Sequence, residues 1–509
     1  MKPFLSLLFL LLVMAVANPV CGQARQKTLS RPQLEHYLSR TIDVQGLSDL
    51  IKHPSGYYPG TADRVVSQLF RESPAAPCSI AALWRAEIDS GRFWARYQQL
   101  LSLTARLQPA MLLDAINLWG TWEMTEHLNR ARHLVADMKR INPDLVVMGV
   151  PNEHVNAGIV LGREIPQYVW DAFGLPNQHR SFDCFRMRDS LTQAQCNNGF
   201  TAQIQQLETQ MYYYWLATTY IALGCEAISF SAINWTGSPD DYRAEWSGVV
   251  QRIRRYADTC AAVRFVLLTG HSATGFRDTA GDLLFDFHIE PLRPTENPWD
   301  RAYRVGPNGG AAVINPASAC PTLYGNGLGG RNPNGWTCDR NPGLVYFDNY
   351  MDSDRDRPEA AFDRWGQPHK ARRRKPWVCW NPYHFDEITW FALQTKAYRD
   401  SFLRYAARRV HQVDTNLYLA LPVKRGIAAG TDKQAEYTCD QGAHYHLREW
   451  WPADYLAIDP DGALFPDPPR LGNFFFAQPD RTRLPLWGGY GQEAVIGELL
   501  NGQRREARF

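Results

Sequence analysis

Asp144-Leu145-Val146-Val147-Met148-Gly149-Val150, followed by Pro151-Asn152-Glu153-His154, is the stretch on which the fold reading turns. A short, unbroken apolar run rich in β-branched residues, with Asn142-Pro143 before it and Pro151 after it, reads as a strand buried on both faces. Such strands belong to parallel sheets, whose crossover helices cover them. The flanks agree. Thr125 to Ile141 carries helical spacing and stops at Asn142-Pro143, and roughly Ile204 to Leu223 is a long helix ending at Gly224.

Working outward, Thr41 to Gly46 alternates as a first strand, and Ile80 to Leu107 reads as a helix that stops at Pro109. Further strands are expected at Met111–Leu118, Glu226–Ile233, Val263–Thr269, Leu283–Ile289, Leu344–Phe347 and Leu417–Leu421, and further helices at Asp241–Cys260, Asp386–Val413 and Gln492–Leu500. Strand and helix in alternation mean a parallel sheet under helices. Eight such units fit a single (β/α)8 barrel with loop insertions better than an open doubly wound sheet. The first strand is weak, and residues 270–282 leave no room for a helix between the fifth and sixth strands. The expected domain runs over 25–509, with a Gly-, Asn- and Pro-rich insertion at about 291–343.

The 17 Trp, 23 Tyr and 23 Phe of this 509-residue chain exclude intrinsic disorder. With 54 basic against 52 acidic residues, the chain lacks the basic excess of a nucleic-acid binder. Lys2, the apolar stretch Phe4–Ala17 and the small residues after it have the order of a signal peptide, with cleavage expected after Ala17 or Ala24. A secreted or periplasmic protein follows, with no membrane span. Lipidation at Cys21 competes, although Asn18-Pro19-Val20 fits the usual site poorly. An oxidising compartment permits disulfides, and Cys184–Cys196 and Cys320–Cys338 are the expected pairs. Cys225 and Cys260 read as buried apolar residues.

In a barrel of this type the chemistry lies where the C-terminal strand ends converge. Those ends carry Trp119, Trp122 and Glu123; Asn152, Glu153 and His154; Asn234 and Trp235; His271; His288 and Glu290; Asp348; and Lys424. Carboxylates to flank a glycosidic bond, amides and imidazoles for hydroxyls, and flat aromatics for sugar faces make a carbohydrate site.

The strand end Val150-Pro151-Asn152-Glu153 resembles that of (β/α)8 glycoside hydrolases of the Asn-Glu superfamily, and the wider chain resembles secreted bacterial barrel proteins without assigned chemistry. The first resemblance implies that Glu153 is the general acid/base. It departs from the family in placing Asn-Glu after the third strand rather than the fourth, and in offering Asp348 where the family has Glu. The expected pair is Glu153 with Asp348, and Glu290 is the rival. Asn152, Asn234, Trp119, Trp122, Trp235, His271 and His288 are expected to line the substrate site. The partner implied is an oligo- or polysaccharide, with no cofactor and no metal. A non-catalytic carbohydrate-binding or surface protein on the same scaffold is the alternative.

Other signals fail on inspection. Gly325-Asn326-Gly327-Leu328-Gly329-Gly330 has no strand before it or helix after it. Gly270-His271-Ser272-Ala273-Thr274 lacks the last glycine of a serine-hydrolase elbow. Asp352, Asp354 and Asp356 have calcium-loop spacing, but Arg357 occupies the glycine position. His444 and His446 form a bare pair in an expected loop, and Arg372–Lys375 is a short solvated run.

Overall fold

The computed structural model describes residues 27–44, 92–118, 124–155, 160, 162–260, 262–272, 274–292, 295–296, 312–313, 327–347, 396–423, 435–438, 444–451, 454–458 and 492–506. The expected signal peptide, the first part of the helix expected from Ile80, and Trp119, Trp122, Asp348 and Lys424 lie outside them.

The chain enters through helix α1 (Arg31–Ser39), whose first turn is closed by a capping box in which Ser30 N–H donates to Gln33 Oε1 at 2.9 Å. Then come β1 (Thr41–Asp43), α2 (Arg92–Leu107), β2 (Met111–Asn117), α3 (Met124–Ile141), β3 (Val146–Val150), α4 (Leu207–Leu223), β4 (Ala227–Ser229), α5 (Arg243–Thr259) and β5 (Leu267–Thr269). The second half has β6 (His288–Pro291), β7 (Gly343–Tyr346), α6 (Lys396–Val413), β8 (Leu417–Leu419), β9 (Leu421–Pro422) and α7 (Gln492–Glu506).

Six strands form a parallel sheet in the order β9-β1-β2-β3-β4-β5, and three more form a second parallel sheet, β8-β7-β6. Two features join them. His271, just past β5, makes a parallel bridge to Ile289 of β6. At the other edge only Ala420 separates β8 from β9, and its N–H donates to Val345 O at 2.8 Å.

Helices α2, α3, α4 and α5 pack in sequence along one face, and α7 lies between α6 and α2. The cluster under them takes Ile42, Leu112, Val147, Ile228, Leu268, Val345 and Leu419 from the strands. A separate cluster on the opposite, inner face unites Met111, Val146, Ala227 and Leu267 of the first sheet with Ile289 and Leu344 of the second, and Leu34 and Leu38 of α1 join it. The inner faces of both sheets therefore share one core.

Helix α4 is buried nearly all round, with Met211, Tyr212, Tyr213 and Tyr214 consecutive, because it packs between α3 and α5 and on β3. It stops at Gly224, which adopts the left-handed conformation that a β-carbon disfavours. Gly149 is where β3 meets this helix: a β-carbon there would lie 2.6 Å from the Tyr220 ring.

Several elements differ from expectation. The fourth strand ends at Ser229, and Ile233–Thr236 is a helical turn. The sixth strand begins only at His288. Leu283, in a lone antiparallel bridge to Arg277, and Leu284 and Phe285, in bends, are all buried, because apolar content marks burial but not a strand. Among the described residues no helix separates β5 from β6. Instead Asp286 anchors the connection, accepting from Leu268 N–H at 2.7 Å, Arg254 at 2.8 Å and Asn334 at 2.7 Å. The Cys184–Cys196 disulfide is formed. Cys338 is a free buried thiol, and its expected partner Cys320 lies outside the described residues. His444 and His446 belong to a strand, His444–Trp451, rather than a loop. Among the described residues no helix is long and apolar enough to cross a membrane.

Candidate functional site

Parallel partners point to the same side of a sheet, so register sorts every strand residue. Asp43 pairs with inner-facing Leu113, and Asn117 with inner-facing Val150. Ser229 pairs with Thr269, two residues past inner-facing Ala227 and Leu267. In β2, β4 and β5 the inner positions thus change from apolar at the N-terminal end to polar at the C-terminal end, while β3 stays apolar on the inner face through Val150. Asp43, Asn117, Ser229 and Thr269 are all buried, as are Asn152 and Tyr346.

Asn117 reaches this layer through an irregularity. The β2–β3 register shifts between Leu112 and Ile116, and Asp114 adopts φ 54°. Ala115 and Ile116 then both join the helix-side cluster, and Asn117 returns to the inner face. Its carboxamide oxygen accepts from Asn152 Nδ2 at 3.3 Å, and Asn152 Oδ1 accepts from His154 N–H at 2.8 Å. That second bond makes the tight turn carrying Glu153.

Glu153 is 5% exposed, and its carbonyl accepts from Ala202 N–H at 3.3 Å beside a short antiparallel pair, His154–Val155 with Phe200–Thr201. Its carboxyl lies beside Tyr213. Burial pushes the Tyr213 phenol well above its usual range, the Thr236 hydrogen bond opposes this, and the Glu153 charge adds to it.

After β4, Asn234 and Trp235 lie on the Ile233–Thr236 turn, both exposed, with Trp235 at 55%. After β5, His271 N–H donates to Ser231 O at 2.9 Å, and its Nδ1 lies 3.4 Å from the Tyr346 hydroxyl. The structure therefore gathers Asn152 and Glu153 at the end of β3, places Asn234 and Trp235 on the next turn, and joins His271 to β7.

His288 and Glu290 stand elsewhere. Glu290 pairs with Val345 of the helix-side cluster, while Ile289 between them faces inward. Both side chains are buried, 3.5 Å apart. Burial holds the Glu290 carboxyl well above the usual carboxylate range, with the Asp414 charge adding. Burial pushes His288 down to about 4, with Asp414 opposing.

Asp43, Asn117, Ser229, Thr269, Tyr346 and Tyr213 were not singled out from sequence. Period-two counting to the end of each strand marks the inner ones. Tyr213, in a helix buried nearly all round, carries no such mark. Among the described residues no group of three or more His, Cys, Asp or Glu is placed to hold a metal.

No protein-family model matches the chain, and no curated protein does. One similar solved structure is the crystal structure of a "Putative alpha Amylase" from Salmonella typhimurium, 12% identical, with a TM-score of 0.28. The match covers 65% of this chain and 50% of that one, so the chain spans about half that protein's length.

Proposed function

We propose that the two parallel sheets are arcs of one (β/α)8 barrel, and that its polar mouth is a carbohydrate site of a glycoside hydrolase-like protein. The closed barrel is supported by the shared inner core, the His271–Ile289 bridge and the single residue between β8 and β9. The observation that carries the functional reading is the change of the inner face from apolar to polar at the C-terminal ends of β2, β4 and β5, with buried Asn152 and Glu153 just past β3.

In this reading Glu153 is the general acid that passes a proton to the leaving oxygen. Asp348, two residues past inner-facing Tyr346, is its partner, as nucleophile or as the base that activates water. Separations of about 5 Å and about 6.5–9.5 Å divide those two roles. Glu290 is less suited, because it stands on the helix side of β6. The carboxamides of Asn117 and Asn152 would bond sugar hydroxyls, and exposed Trp235 would stack on a ring face. Export to an oxidising compartment is part of the proposal, in keeping with the Cys184–Cys196 bridge.

A carbohydrate-binding protein without turnover is the second reading, favoured by an inner layer richer in amides and hydroxyls than in carboxylates. Incubation with a panel of oligo- and polysaccharides, with product analysis and calorimetry, separates the two. Products support the hydrolase, binding without products supports the second reading, and neither result refutes both.

A further inference from the structure

Tyr213 is fully buried in α4, stacked on Trp246 with ring centroids 5.9 Å apart and edge-on to Phe230 at 5.9 Å. Ring packing on two sides fixes where the hydroxyl sits. That oxygen lies 3.4 Å from the carbonyl oxygen of Asn152 and 3.2 Å from Thr236 Oγ1. A carbonyl only accepts, so the phenol proton goes to Asn152 and the Thr236 hydroxyl donates to the phenol oxygen. One side chain thus ties the turn after β3, with Asn152 and Glu153, to the turn after β4, with Asn234 and Trp235. Residues 202–204 brace the same two turns from the other side, through Ala202 N–H to Glu153 O at 3.3 Å and Ile204 N–H to Thr236 O at 2.9 Å.

We infer that Tyr213 is a positioning residue for Glu153, holding the Asn152–Glu153 peptide in fixed relation to the Asn234–Trp235 turn through the relay Thr236–Tyr213–Asn152. The catalytic meaning of this rests on the proposed function; the positioning does not. A phenylalanine keeps the ring contacts and removes only the relay, so Tyr213→Phe isolates it. Thr236→Val leaves the ring untouched and removes one link.

The experiment uses the full chain and two readouts that need no substrate: amide hydrogen exchange at His154 and Ala202, and the NMR titration of the Glu153 carboxyl. Tyr213→Phe should speed exchange at both amides about tenfold, as expected for one lost buried hydrogen bond, with Val147 in β3 unchanged. The Glu153 titration should move upward, because a polar hydroxyl beside a buried carboxyl is gone. Thr236→Val should speed the same amides by a smaller factor, about threefold, since the phenol keeps its bond to Asn152. Unchanged exchange and titration in Tyr213→Phe overturn the inference. Should that variant not fold, unchanged exchange in Thr236→Val overturns it instead. If a hydrolysed glycoside is found, kcat should also fall about tenfold with little change in KM. A wild-type protein that turns over no glycoside refutes the proposed function alone, and the exchange and titration still decide the role of Tyr213.

Discussion

His288 Nε2 lies 3.5 Å from Glu290 Oε1 on the helix side of β6, and among the described residues neither Glu290 oxygen nor His288 Nδ1 has a hydrogen-bond partner. The neighbouring charge is Asp414, itself paired with Arg340 at 3.4 Å, so the field there disfavours a carboxylate and favours a protonated imidazole. Burial opposes charge on both groups.

Stability should therefore depend on pH in two windows. The folded protein holds the Glu290 proton more tightly than the unfolded chain, whose carboxyl titrates near 4.5, so stability is lost as pH rises above that value. His288, lowered from 6.5 to about 4, loses stability as pH falls from 6.5 toward 4. Urea unfolding between pH 4.5 and 8 should show Glu290→Gln gaining on the wild type as pH rises, by about 2 kcal/mol at pH 8, within the range for an uncompensated buried group. Parallel pH profiles would contradict this.

Adjacent tyrosines should respond in opposite ways. Tyr212 is fully buried, and its hydroxyl has no hydrogen-bond partner among the described residues, whereas Tyr213 has two. Tyr212→Phe should be neutral or stabilising, and Tyr213→Phe should cost about 1 kcal/mol, read from denaturant midpoints. Equal losses would show that the Tyr212 hydroxyl is satisfied in solution.

Gly149→Ala should destabilise by about 2–3 kcal/mol, as overpacking a fixed core does. The added methyl meets the Tyr220 ring, whose hydroxyl is held 2.6 Å from His127 Nε2, so the ring cannot yield freely. Thermal unfolding checks this, and an unchanged midpoint would mean that β3 and α4 sit further apart.

Opening the Cys184–Cys196 disulfide, across a separation of 12 residues, should cost about 3 kcal/mol in the chain-entropy view. Unfolding of Cys184→Ser with Cys196→Ser measures it. The loss should be local first, in the Phe200–Thr201 strand paired with His154–Val155.

The strand positions were legible because runs such as Val146–Val150 leave no choice but burial, and helix ends such as Gly224 are marked by single residues. The sixth strand was not. Leu283 to Phe287 is apolar but for Asp286, yet most of it bends, a tertiary decision made by Asp286 and its partners. Side was harder than position. Glu290 and Asn152 both follow strands in the sequence, but the register turns one to the helices and the other to the inner face. The β2 irregularity at Asp114 shows why: Ala115 leaves the inner face that alternation assigns to it and joins Ile116 on the helix side, and only Asn117 returns.

The central claim is tested most directly by the rate of Glu153→Gln on a natural glycoside that the wild type hydrolyses. The account expects turnover to fall by about 10²–10⁴-fold, the usual share of general acid catalysis, with substrate affinity kept and activated substrates of good leaving group much less affected. Full activity in Glu153→Gln would contradict it.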